Sequence, residues 1–315
     1  MFFGGGDGKQ KGKTFLLLDV ENGSVASGLL YLEAGEKPKI FGHTRQNLSV
    51  ARPRSAATLA QSVAHAAREA LHHASTVAAR IREHNKLSHI GEVGRAEIFL
   101  SAPWTNLDEK WLHETGVNTE LHKTVEEFFG AIPVSSHPFP KVLAEVSGSL
   151  FPEDKTLLVF VGGEITELLL VHGGRVVGRA TTPHGHHLLL RTLKAHGGLS
   201  ESEARSALHL QPSHAGETFA ALASHFTREF KDTARELLSG GSAQSVYVVS
   251  HEPTGEWFAK VLGSEDLGDL FPDGGTVRAL RTHHVAPYLA AHTRPDLVLS
   301  LQAIFVDENF SSRRF

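Results

Sequence analysis

The chain repeats itself. Residues 13–44 and 155–182 carry the same succession of segments: an apolar run, a tight polar loop, a second apolar run, a glycine-containing turn and a third run. The loops fall at Glu21 to Ser24 and Gly162 to Thr166, and the turns at Ala34 to Glu36 and His172 to Gly174, so the register holds through the whole unit. Short apolar runs bounded by turn residues predict strands, and a strand unit written twice predicts two related lobes. Domains cluster near ~100–150 residues, so 315 residues with 41% hydrophobic content suffice for two ordinary cores.

Composition excludes several classes of function. Lys and Arg number 31 against 35 Asp and Glu, and no long basic block occurs, so no nucleic-acid surface is indicated. With no cysteine there is no disulfide, thiolate nucleophile or cysteine metal site. No apolar run approaches the ~20 residues of a membrane span, and residues 1–13 lack the apolar core of a secretory signal, so a cytoplasmic protein is expected. Histidine is abundant at 21, clustered at His72-His73, His184/His186/His187 and His283-His284. A metal site at His184 to His187 has no partner carboxylate at a telling spacing, which favours scattered surface imidazoles.

Between the duplicated units, Leu59, Val63, Ala67, Leu71, Ala74 and Ala78 recur at helical spacing, predicting one long, Ala-rich amphipathic helix over Ser55 to Glu83. A strand follows at Glu97 to Ala102, then helices at Thr119 to Phe129 and Lys141 to Leu150. After the second unit, a helix opens at Leu188, another at Ser200 with Glu203 completing a capping box, and a long one spans Glu217 to Ser239. Gly240-Gly241 ends it before a strand at Ser245 to Val249. No nucleophile elbow, Walker loop, paired-histidine zinc helix or dinucleotide fingerprint is present.

The duplication resembles the actin-like ATPase superfamily, and within it the bacterial FtsA and PilM branch. Phe160-Val161-Gly162-Gly163-Glu164-Ile165-Thr166-Glu167 follows the outline of that branch's second phosphate loop, with Phe160 where the family has Asp. The resemblance is strongest from about Lys155 to Leu210. It implies a two-lobed, duplicated ribonuclease-H-like α/β fold with a small subdomain inserted in the first lobe. On that template residues 1–13 are a flexible tail and 14–150 the first lobe, with the insertion at about 47–116. Residues 155–306 are then the second lobe and 307–315 a C-terminal tail.

The resemblance also implies a nucleotide cleft between the lobes, holding ATP and magnesium if the site is still functional. Two hairpin loops would give amides to the phosphates, carboxylates would position the hydrated magnesium, and a Gly-Gly turn would let adenosine lie on bare backbone. The positions carried over are Asp19, Asn22, Gly23 and Ser24 in the first loop, and Gly162, Gly163, Glu164 and Thr166 in the second. Ser250 and Gly255 follow in the third, and Asp19 is the magnesium-side carboxylate. The first loop reads equally well as an ordinary hairpin turn. Phe160 cannot hold a hydrated cation, and Ser250-His251 replace the family's glycine pair, so two of the three loops are eroded. Glu164 and Glu167 could substitute for the lost carboxylate, although alternation places Glu167 at a solvent-facing strand position.

The resemblance therefore implies a cytoplasmic scaffold or adaptor, with weak or lost nucleotide binding, in cell division or type IV pilus assembly. Its partner would be a membrane-protein tail or its own copies, with membrane association indirect. The other reading is an active, filament-forming ATPase. Phe2, Phe3, Phe310 and Phe315 read either as frayed termini or as apolar anchors for a partner or a bilayer.

Overall fold

The computed structural model describes residues 12–51, 55–84, 90–105, 107, 116–151, 155–209, 216–239, 243–251, 254–264, 267–268, 270–271, 275–291 and 296–311. Two five-stranded sheets carry the fold. In the first, β1 (Lys13–Val20), β2 (Ser24–Leu32) and β3 (Lys39–Asn47) form an antiparallel meander, and β4 (Val93–Leu100) and β5 (Val134–Pro138) add in parallel on the other side of β1. In the second, β6 (Lys155–Val161), β7 (Thr166–His172) and β8 (Arg175–Thr182) form the meander, and β9 (Ser245–Val249) and β10 (Thr276–Ala279) the parallel half. The orders β3-β2-β1-β4-β5 and β8-β7-β6-β9-β10 are the same. The repeat read from two hairpins thus extends to entire lobes.

β1 and β2 are near-continuous apolar runs because both their faces are covered, whereas β3 at the sheet edge is mostly half-buried. Outside the first sheet lies α1 (Ala56–His84), whose Ala66, Ala67, Ala70, Ala74 and Ala78 are all buried. Short side chains bring the helix close enough for Ser27 Oγ to donate to Ala70 O at 2.7 Å. Gly42, with φ of 51°, sits where a β-carbon would strike Val77 of α1, so only glycine fits. α2 (Gly116–Phe129) packs beside α1. On the second sheet, α4 (His186–Gly197), α5 (Glu201–His209), α6 (Gly216–Leu237) and α7 (Thr254–Gly263) build the matching outer layer.

A third core lies between the lobes. α3 (Phe139–Leu150) and α9 (Leu297–Ser311) sit between the sheets, burying Phe139, Leu143, Leu301 and Ile304 with Phe15 and Phe99 of one sheet and Leu158, Phe160 and Tyr247 of the other. α9 is buried on every side from Leu297 to Val306, which accounts for a sequence apolar all round. The lobes therefore share a core.

Three expectations change. The segment assigned to an inserted subdomain at about 47–116 instead supplies, among its described residues, the crossover helix α1 and the strand β4, which pairs directly with β1. A parallel pair needs a crossover of this length, so the helix and strand belong to the lobe itself. The C-terminal tail placed at 307–315 begins inside α9, where the ring of Phe310 lies 4.6 Å from Phe15, so Phe310 is no free anchor. Of the tail at 1–13, Lys13 already opens β1, while Phe2, Phe3 and Phe315 lie outside the described residues. A short α8 (Thr282–Val285) joins β10 to the segment before α9. Among the described residues, no helix is long and apolar enough to cross a membrane.

Candidate functional site

The ends of β1 and β6 meet where the lobes face each other. Asp19, Ala26 and Arg45 form one row across β1, β2 and β3, since Ala26 pairs with both of the others. Alanine is short enough for the arginine to lie over it. Arg45 Nη2 donates to Asp19 Oδ2 at 2.9 Å, Nε to Asp296 Oδ2 at 2.9 Å, and Nη1 to Ser24 Oγ at 2.6 Å. Ser24 in turn donates to Glu21 Oε1. The other oxygen of Asp19 accepts from Gln302 Nε2 of α9 at 2.8 Å. Asp296 also caps α9, accepting from the Leu299 amide at 2.8 Å.

Three carboxylates thus surround one guanidinium. Burial dominates at Asp19 and, with Glu21 and Asp296 nearby, outweighs Arg45 to raise its pKa to about 6. Burial would raise Glu21 too, but the charge and hydrogen bond of His251 and the charge of Arg45 hold it well below the usual range. Asp296 is likewise held low against burial, by Arg45 and His251. Arg45 is pushed upward by the acids despite its own burial.

The two hairpin loops touch. A β-carbon on Gly23 would come within 2.5 Å of Gly163 Cα, and the reverse substitution would collide as badly. Asn22 stitches the contact: Oδ1 accepts from the Glu164 amide at 2.5 Å and the Ile165 amide at 3.3 Å, while Nδ2 donates to Ala102 O at 2.6 Å. The amides that would receive a phosphate in the second loop therefore already hold a side chain of the first.

The second loop is also tied to the start of α4. The amides of His186 and His187, free donors at a helix N-terminus, go to Gly162 O at 2.9 Å and Gly163 O at 2.8 Å. Glu164 takes Arg191 in a fork at 2.7 and 2.9 Å and His187 Nδ1 at 3.0 Å, contacts that lower its pKa to about 2 although burial opposes them. Thr166 Oγ1 donates to His184 O at 2.8 Å. The histidines expected at the surface here are mostly inside: His187 is fully buried, and burial with the neighbouring His187 holds buried His186 at about 3, hence neutral. His184 Nε2 faces His225 Nε2 of α6 at 3.2 Å.

In the third loop, Ser250 Oγ donates to Val161 O at 2.9 Å, and His251 Nε2 lies 2.7 Å from Glu21 Oε1 across the cleft. Gly255 is in the first turn of α7, where a β-carbon would make only ordinary contacts, so it is not the bare floor that a base needs. Glu167, expected to face solvent, is buried and accepts from the Ala102 amide at 2.8 Å and from Arg179 at 2.7 Å. Its strand alternation is right, but the face it selects is the one between the lobes. Phe160 lies 5.0 Å ring to ring from Phe139 of α3, inside the shared core.

These residues do not fit nucleotide phosphates with magnesium in this arrangement. No space separates the loop backbones at Gly23 and Gly163, and the loop amides of Glu164 and Ile165 are engaged by Asn22. Both oxygens of Asp19 are bonded to protein groups, with Arg45 supplying the positive charge. Among the described residues, no three His, Asp or Glu side chains are grouped to hold a metal ion. The structure brings together Asp19, Asn22, Gly23, Ser24, Gly162, Gly163, Glu164 and Ser250, and adds Arg45, Asp296, Gln302 and Glu21, which no motif marks.

No family model and no curated protein matches the chain. Solved structures do. The ethanolamine utilization protein EutJ from Carboxydothermus hydrogenoformans is 14% identical with a TM-score of 0.54, covering 94% of this chain and 90% of its own. A PilM-PilN type IV pilus biogenesis complex is 11% identical with a TM-score of 0.57, covering 92% and 96%. MreB 5 of Spiroplasma citri bound to AMPPNP is 13% identical with a TM-score of 0.50, covering 96% and 99%. At these identities the likeness establishes the fold, which is the two-lobed actin-like one.

Proposed function

We propose that this actin-like chain is an adaptor of the PilM type, a rigid two-lobed body that binds a protein partner and does not use nucleotide to hold its lobes together. The observation that carries this reading is the Asn22 carboxamide, bonded to the amides of Glu164 and Ile165 across the contact between Gly23 and Gly163. A ligand that closes a cleft contributes by bridging its walls, and here side chains of the chain itself bridge them. The PilM-PilN neighbour supports a protein partner. We take that partner to be the tail of a membrane protein, placing the chain at the inner face of a membrane in pilus assembly or cell division, with self-association as the second form of contact.

The retained Asp19 and Gly162-Gly163 favour a second reading, an ATP-binding filament former, and the MreB 5 neighbour is bound to the nucleotide analogue AMPPNP. Thermal denaturation with millimolar Mg-ATP separates the two. The adaptor reading expects no change in Tm, whereas a ligand at ~100 times its Kd stabilises by about 2.7 kcal/mol. A clear rise in Tm that Asp19→Ala removes would establish the second reading.

A further inference from the structure

We propose that the outer edge of β10 docks an extended, acidic segment of a partner protein, which joins the second sheet as an added strand. This rests on the adaptor reading and names the partner's chemistry. β10 pairs with β9 alone, and among the described residues no strand occupies its other edge. Half of its main-chain donors and acceptors therefore point outward, which is what strand addition uses.

Beside that edge runs a groove of about 650 Å³, walled by Ala259, Lys260 and Gly263 of α7 on one side and by Val277, Arg278 and Ala279 on the other. Among the described residues its walls carry three cations, Lys260, Arg278 and Arg281, against one acid, Glu256. Glu256 is shared with Arg281 at 3.2 Å. His283 and His284 stand at its end with ring centroids 4.0 Å apart. Lys260 and Arg278 are exposed and make no ion pair among the described residues.

The alternation of β10 sets the pattern of the occupant. Val277 and Ala279 turn toward the α7 side and Thr276 and Arg278 toward solvent. An added strand continues that alternation, with small apolar residues beside Val277 and Ala279 and carboxylates beside Arg278. Charged side chains on a short edge strand also guard against indiscriminate pairing. The two roles differ in outcome, because a guard repels every strand while a dock accepts the acidic one.

The test uses the full chain and a fluorescein-labelled peptide of about ten residues alternating Glu and Val, followed by fluorescence anisotropy. Saturable binding is expected, weakening at least tenfold in Lys260→Glu/Arg278→Glu and falling as NaCl rises from about 0.05 to 0.5 M. A Lys-Val peptide should not bind, nor should a Glu-Val peptide N-methylated at alternate residues, which keeps its charge but loses half its donors. Both substituted residues are exposed, so an unchanged circular dichroism melt verifies the variant's fold. Equal binding by variant and parent, equal binding of the N-methylated peptide, or no binding at millimolar peptide would each overturn the proposal. A Tm insensitive to Mg-ATP alongside such a failure would leave the adaptor reading standing and the docking edge rejected.

Discussion

The same row of three residues crosses both sheets and is filled in two different ways. In the first lobe it reads Asp19, Ala26, Arg45, with the carboxylate on the central strand and the arginine reaching it over alanine. In the second it reads Phe160, Glu167, Thr181, with an aromatic on the central strand and the carboxylate one strand over. Each lobe nevertheless grips the loop after the fourth strand of the other. Glu21 holds His251, beyond β9, and Glu167 holds the Ala102 amide, beyond β4. The duplication thus preserves a tether to the opposite lobe, but from different places: Glu21 in the loop after β1 and Glu167 on β7. A carboxylate facing a cleft can serve as a tether as readily as a magnesium ligand, and its bonded partners decide which.

The largest expected effect comes from forcing the two rows to match. Phe160→Asp places a carboxylate in the aromatic contact with Phe139 and opposite Glu167, to which Arg179 is already bonded. Truncating a buried phenylalanine costs about 3–5 kcal/mol by itself, and an unpaired buried charge adds to that. Chemical denaturation should show a loss above about 4 kcal/mol, and a variant of near-parental stability would mean that the two positions are interchangeable.

Next is Asn22→Ala, which leaves the Glu164 and Ile165 amides and the Ala102 carbonyl without their partner. Unsatisfied buried groups cost about 1–3 kcal/mol each, partly recovered by entering water, so roughly 3 kcal/mol is expected. Amide hydrogen exchange at Glu164 and Ile165 should accelerate in the variant. Unchanged exchange would mean that the contact does not hold the loop.

Some of this was legible in the sequence and some was not, for a physical reason. The hairpins, α1, α6 and β9 are written in local apolar periodicity and turn residues, which act within a few positions. The network at the cleft is not local: Asp19 and Gln302 are 283 residues apart, and Asn22 and Glu164 are 142 apart. Arg45 on an edge strand has no spacing that distinguishes it from a solvated arginine. The closing of 307–311 into α9 was hidden because the polar run after Val306 resembles a tail, and only the ring contact of Phe310 with Phe15 reveals its packing.

A smaller, pH-dependent effect distinguishes Asp19 from the other acids. Its folded pKa of about 6 lies above the unfolded value of 3.8, so its contribution is fully present below about pH 4 and is lost as pH rises through 6. Glu21 and Asp296, with lowered values, contribute above their unfolded values and lose that contribution as pH falls. Asp19→Asn removes only the first dependence. The Tm of the variant minus that of the parent should therefore increase from pH 4.5 to 7.5, by the equivalent of about 2–3 kcal/mol at most. A difference independent of pH would show that Asp19 is ionised throughout, as a simple partner of Arg45.

The claim that the cleft is fastened by the chain's own side chains is tested most directly at the two amides that Asn22 occupies. Backbone amide resonances of Glu164 and Ile165 can be followed by NMR while Mg-ATP is titrated to several millimolar. They are expected to stay in place, with exchange protection unchanged. A saturable shift of both resonances, abolished by Asp19→Ala, would contradict the account, because phosphate would then have displaced Asn22 from the loop.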